Sequence, residues 1–260
     1  MPDTKHALFV RTYHKDAERL HYCLASIMRF CEGFSETVVV CPPSSAEVIS
    51  RVVANFPGVI HKITREYERD YLGQQRDKLR AYEFTNADYI HHVDSDCVFN
   101  KKYEPHSLFR GSMPLLYHRE YDFFYRNRML TPWQLFTSRA ALRQVDLEFM
   151  AMLPLIYPRE LCLMLNLWLD ENHGGVDALL DKAASQYEFS EFNLLGAASY
   201  YKFCVSMDFH AHVNWGQEEP ERFLKQFCLS SGHLDRSIAN DELQELQEIT
   251  GTKLDAAILS

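Results

Sequence analysis

The stretch "ADYIHHVDSDCVF", residues 87–99, climbs through an apolar run, meets two aspartates separated by one serine, and turns apolar again. An apolar run of this length reads as a buried strand. Alternation along such a strand puts Ile90, His92, Asp94 and Asp96 on one face and Tyr89, His91, Val93 and Ser95 on the other. Two carboxylates on one side of a strand's C-terminal end can meet one hard cation, and open α/β sheets bind ligands beyond those ends. The competing reading is a chance pair, because D-x-D spacing is common in a chain of 260 residues. Two things set this pair apart: it follows an apolar strand, and it is the only D-x-D in the chain.

Upstream, short β-rich runs alternate with helical patterns. "ALFVRTY" (7–13), "ETVVVCPP" (36–43) and "GVIHKIT" (58–64) read as strands. Segment 15–31 has apolar residues at Leu20, Cys23, Leu24, Ile27 and Met28, which is helical spacing. Segment 44–56 carries Ser44 with Glu47 three residues on, a capping-box pattern, and 73–86 reads as a third helix. The order β-α-β-α-β-α-β predicts an α/β fold with a mostly parallel sheet covered by helices on both faces. Downstream, the sequence predicts helices over 158–174, 176–186, 190–204 and 240–250; the first opens at a proline and closes at a glycine. No repeat, low-complexity stretch or Gly/Ser/Pro-rich linker interrupts the chain.

Composition narrows the function classes. A net charge of −9 opposes wholesale coating of nucleic acid, although Lys and Arg outnumber Asp and Glu by eight to three between Lys101 and Arg143. Seven scattered cysteines without a C-x-x-C pair read as reduced thiols of a cytoplasmic protein rather than as a zinc or redox motif. No stretch approaches the roughly 20 apolar residues of a membrane span, so peripheral attachment is the only membrane association expected.

The D-x-D pair admits three chemistries. An EF-hand loop fails, because its fifth and sixth positions fall on Val98 and Phe99 where an oxygen ligand and a glycine are required. A haloacid-dehalogenase-like phosphatase shares the pattern "DSDCV" but carries it on its first strand, whereas three predicted strands precede it here. The third is a nucleotide-sugar transferase. The strand–helix succession, the helix "GQQRDKLRAYEF", the strand "ADYIHHVDSDCVF" and the later "FSEFNLLG" together resemble glycosyltransferases of the GT-A fold, in particular small bacterial and viral members, over residues 6 to 235.

That resemblance implies a single GT-A-like domain over 1–235, with a nucleotide-sugar half (1–100), an acceptor half (101–235) and a helical tail (236–260). It implies Mn²⁺ or Mg²⁺ held by Asp94 and Asp96 against the diphosphate of a nucleotide sugar, most simply a UDP-sugar, with Asp96 the main ligand and Asp94 shared between metal and ribose. His233 is the expected third ligand, and His210 and His212 are its rivals. Arg11, Thr12 and Tyr13 at the end of the first strand are expected at the base and ribose. Gln75 and Lys78, which share a helix face, are expected at the nucleotide or diphosphate, with Arg76 pointing elsewhere. Glu191, beside a predicted helix start, is the expected base for an inverting transfer.

The acceptor expected from the basic, aromatic stretch "YHREYDFFYRNRMLTPW" is a glycan or lipid-linked saccharide, and the alternative is a hydroxymethylated base of viral DNA, which would place the enzyme in a host cytoplasm. From other classes, a phosphatase and a non-catalytic nucleotide-binding domain remain open.

Overall fold

A computed structural model describes the chain except residues 1–3, 132, 151–152, 184, 204, 212–221, 228–237, 239, 255–257 and 259–260. In chain order the strands are β1 (His6–Arg11), β2 (Glu36–Cys41), β3 (Val59–Ile63), β4 (Tyr89–Asp94), β5 (Cys97–Phe99), β6 (Phe109–Arg110), β7 (Met113–Glu120), β8 (Leu147–Glu148), β9 (Leu155–Pro158), β10 (Asp208–Ala211) and β11 (Leu224–Gln226). The helices are α1 (Ala17–Phe30), α2 (Ala46–Val53), α3 (Asp70–Leu79), α4 (Tyr121–Arg126), α5 (Trp133–Ala140), α6 (Arg159–His173), α7 (Val176–Leu180), α8 (Glu191–Ala197) and α9 (Asn240–Thr250). The chain is α/β, with a mixed sheet of mostly parallel strands flanked by helices.

It divides into two compact units built from interleaved segments. One comprises residues 5–66, 92–107 and 219–260, and the other residues 1–4, 67–91 and 108–218. The first unit holds the strand order β3-β2-β1, then the second half of β4. β1 runs parallel to β2 with Phe9 opposite Val38, and β2 runs parallel to β3 with Val38 opposite Ile60. All six residues of β1 are buried, the signature of a strand covered on both faces. Leu20, Cys23, Leu24 and Ile27 of α1 turn inward as the helical spacing predicts, whereas Met28 is exposed.

Two local expectations change. Ser44 does not cap α2, because a 3₁₀ turn over Pro43–Ser45 moves the helix start to Ala46. Ser44 instead binds Glu66, its amide donating to Oε2 and its hydroxyl to Oε1, each at 2.9 Å. The predicted strand 87–99 breaks into β4 and β5 with Ser95 and Asp96 in a turn, and β5 pairs antiparallel with β11.

The second unit holds the first half of β4 beside β9, and the set β10-β7-β6 in which β10 is parallel to β7 while β6 and β8 are antiparallel to it. Its core is aromatic, including Tyr121, Phe124, Phe136, Phe149, Tyr157 and Phe192. α6 follows Pro158 and closes at Gly174, whose φ of 78° suits a residue without a Cβ. The helix predicted over 190–204 is α8 followed by a π-helical stretch to Phe203. Gly196 is required by packing: a Cβ there would lie 2.3 Å from the Phe149 ring.

The five described cysteines, Cys23, Cys31, Cys41, Cys97 and Cys162, are free thiols, and all but Cys31 are buried. Among the described residues, no helix is long and apolar enough to cross a membrane.

Candidate functional site

In the first unit the ends of β1, β2 and β4 carry the candidate ligand-binding groups. Asp94 is the last residue of β4 and Asp96 lies in the turn that follows, so strand alternation does not govern Asp96. Both are half-buried. The turn is pinned through its backbone and through Ser95. Phe227 N–H donates to Asp96 O at 2.9 Å, and the Ser95 hydroxyl reaches Asp16 Oδ2 at 3.4 Å. Gln226 Nε2 lies 3.3 Å from each oxygen of the Asp96 carboxylate. Asp16 and Gln226 were not expected at this turn; Gln226 arrives on β11 from the far end of the chain.

Behind the turn lie two fully buried thiols. Cys23 Sγ is 3.8 Å from the Asp94 carbonyl, and Cys97 Sγ is 3.7 Å from Asp96 Oδ1. Burial, with the adjacent carboxylates adding to it, pushes both thiols well up, so they stay protonated. A thiol ligates metal as thiolate. The donors this turn offers are therefore carboxylate oxygens, which suit Mn²⁺ or Mg²⁺ rather than a soft metal. Asp94 and Asp96 supply two such groups, and among the described residues no third His, Cys, Asp or Glu joins them. His233 and His212 fall outside the described residues. His210 is described: it sits on β10 with Nε2 2.9 Å from Asp208 Oδ1.

At the end of β1 the three expected residues differ. Arg11 is wholly enclosed, and its Nη1 donates to Thr12 O at 2.9 Å, so the guanidinium braces the strand end instead of facing a ligand at the surface. Thr12 donates its amide to Val40 O at 2.9 Å, yet its buried hydroxyl has no hydrogen-bond partner among the described residues. An orphaned hydroxyl at a strand end is the kind of group a bound ligand satisfies. Tyr13 is half-buried and packs edge-on against His14, which is tied to Ser45 by its amide at 2.9 Å.

In the second unit the structure brings Lys78 and Glu191 together. Lys78 Nζ lies 2.9 Å from Glu191 Oε1, both side chains are buried, and the ammonium sits 4.7 Å above the Phe192 ring. Two residues expected to serve phosphate and acceptor separately thus form one ion pair. Gln75, on the same face of α3, donates to Phe189 O at 3.1 Å, so this face clamps the segment leading into α8. Arg76 points away as expected and pairs with Asp177 at 2.9 Å. Ser190 caps α8 by accepting from Asn193 N at 3.2 Å.

Sequence reasoning missed Glu148. It is buried on β8 opposite Arg119, and its Oε1 accepts from Met150 N at 2.6 Å. Asn193 Oδ1 takes the neighbouring Phe149 N at 2.8 Å. Burial raises the Glu148 carboxyl to about 7, against the opposing pull of the Met150 amide and Arg119. The only sequence signal was an acid inside the apolar run "VDLEFM".

A scan of protein-family models finds none that matches this chain, and a search of curated proteins finds no match.

Proposed function

We infer that this chain is a metal-dependent glycosyltransferase that moves a sugar from a nucleotide-diphosphate sugar to a hydroxyl acceptor, a glycan or lipid-linked saccharide. The observation that carries the reading is the pair Asp94 and Asp96 at the C-terminal end of β4, in the unit where Thr12 leaves a buried hydroxyl unsatisfied at the end of β1. Ligands of open α/β sheets bind beyond such strand ends. In this reading Asp94 and Asp96 hold the divalent cation, and Thr12 and Tyr13 meet the nucleotide. When bound, the cation stabilises the charge left on the diphosphate.

The acceptor oxygen attacks the anomeric carbon as the bond from that carbon to the diphosphate oxygen breaks, and the electron pair leaves with the diphosphate. The acceptor's proton passes to a general base; Glu191, expected in that role, is enclosed in the other unit and held by Lys78 at 2.9 Å.

The test is thermal stabilisation of the full chain by UDP-, GDP- and CMP-sugars with and without Mn²⁺. One nucleotide sugar is expected to raise Tm only with the metal, and Asp96→Asn to abolish that increment. Metal-dependent donor binding that survives in Asp96→Asn would remove the central assignment, and release of phosphate from small phosphoesters would favour a phosphatase.

A further inference from the structure

The stretch 123–145 contains no Asp or Glu, in a chain whose net charge is −9, and it contains Arg126, Arg128, Arg139 and Arg143. It spans the end of α4, the connection and all of α5. The Tyr125 hydroxyl donates to Gln134 Oε1, so the end of α4 abuts the start of α5. Leu135 and Arg139, four residues apart, share one face of α5, while Phe136, Thr137 and Ala140 are buried, and Leu142 lies two residues past the helix end. That outward face is apolar where an ordinary surface helix is polar: Leu135 is 62 % and Leu142 61 % exposed, and Leu130 in the connection is 88 % exposed with Met129 beside it. Several exposed apolar side chains gathered in one short, acid-free segment point to an interaction surface.

The backbone supports the same point. Arg128 and Leu142 follow α4 and α5 with φ of 56° and 53°, the left-handed region that favours glycine. A Leu there holds an exposed side chain outward at a position where glycine would cost less.

We propose that this face docks the protein on an anionic lipid bilayer, with Met129, Leu130, Leu135 and Leu142 entering the interface and Arg128 and Arg139 meeting lipid phosphates. Among the described residues the guanidinium groups of Arg128 and Arg139 have no hydrogen bond or ion pair, whereas Arg126 is taken up by Asp122 and Arg143 by the Tyr201 ring and carbonyl. Cations combined with exposed aliphatic chains fit the headgroup boundary, where each apolar chain gains by leaving water and each cation meets a negative surface. A nucleic acid would be met by exposed ring faces and a larger excess of cations. Here the exposed groups are mainly aliphatic. The assignment does not depend on the donor chemistry.

The experiment is co-sedimentation of the full chain with vesicles of phosphatidylcholine alone and of phosphatidylcholine mixed with phosphatidylglycerol, with no nucleotide sugar present. Binding is expected to be about tenfold stronger to the anionic vesicles and to weaken as salt rises. Leu130→Glu with Leu135→Glu is expected to lower it about tenfold or more, both positions being solvent-exposed and so tolerant of charge in the folded monomer. Leu142→Gly separates binding from folding, since it is expected to raise Tm and still weaken vesicle binding. Equal binding to both vesicle types, or anionic binding indifferent to Leu130→Glu, overturns the proposal. So does duplex DNA binding tighter than the vesicles and lost in Arg128→Ala, or self-association abolished by Leu130→Glu; these reassign the face to nucleic acid or to a second copy of the chain.

Discussion

The two units treat their carboxylates in opposite ways. At the end of β4, Asp94 and Asp96 are half-buried on a turn whose backbone is fixed by the Phe227 amide, with Gln226 Nε2 3.3 Å from the Asp96 carboxylate. In the other unit Glu191 is enclosed and clamped by Lys78 at 2.9 Å, and Glu148 is enclosed with an amide bond at 2.6 Å. A half-exposed carboxylate keeps part of its hydration and can give it up to a cation. An enclosed carboxylate has already lost its water, and the fold must supply the replacement. In the proposed function the first unit's pair is the one that meets a ligand, whereas Glu191 and Glu148 of the second unit are enclosed and bonded within the fold.

Breaking the clamp gives the largest expected effect. Lys78→Met leaves Glu191 buried without its cation and is expected to cost about 3–5 kcal/mol in urea unfolding. Adding Glu191→Leu to it is expected to recover most of that loss, because an apolar pair of similar volume carries no desolvation penalty. A double variant as unstable as Lys78→Met alone would show that the pair holds α3 to α8 by more than charge compensation.

Glu148 sharpens the comparison through pH. Its folded-state carboxyl is raised to about 7 from an unfolded value of 4.5, so burial favours the protonated form. The contribution is fully present below pH 4.5 and lost as pH rises through about 7, amounting to about 3 kcal/mol at most. Glu148→Gln is expected to be the more stable form at pH 8 and to match the parent near pH 4.5. Equal unfolding midpoints for the two chains at both pH values would place the Glu148 carboxyl near its ordinary range.

The backbone order of the first unit was legible because β1 to β4 are apolar runs separated by helices with regular apolar spacing, a signal carried by neighbours in sequence. The break after Asp94 was not. An apolar "CVF" after the aspartates continues the strand pattern, and the turn at Ser95–Asp96 depends on β11 and on the Phe227 amide, contributed from more than a hundred residues away. The candidate residues follow the same division. Asp94 and Asp96 were candidates because of their spacing after an apolar run, and Thr12 because it follows the first strand. The pairing of Lys78 with Glu191 and the burial of Glu148 arise from packing between distant segments, which no local period encodes. Arg11 was expected at the base and ribose, and its complete enclosure with a bond to Thr12 O depends on surroundings that the strand pattern does not encode.

Gly196 tests whether the packing beside Glu148 is as rigid as this contrast requires. An added Cβ would sit 2.3 Å from Cγ of Phe149, the residue next to Glu148, and Phe149 is further fixed by its amide bond to Asn193. Gly196→Ala is expected to cost about 1–3 kcal/mol as ring and helix separate, and a cost near zero would mean that α8 shifts freely.

The smallest expected effect comes from the acidic turn. Asp96→Asn keeps the shape of a half-exposed side chain, so its unfolding free energy is expected to fall within about 0.5 kcal/mol of the parent. The same variant is expected to lose the metal-dependent rise in Tm with the nucleotide sugar. That combination, stability kept and ligand response lost, distinguishes an exchangeable carboxylate from a structural one. A loss of several kcal/mol on Asp96→Asn without any ligand present would put Asp96 in the same class as Glu191 and dissolve the contrast between the two units.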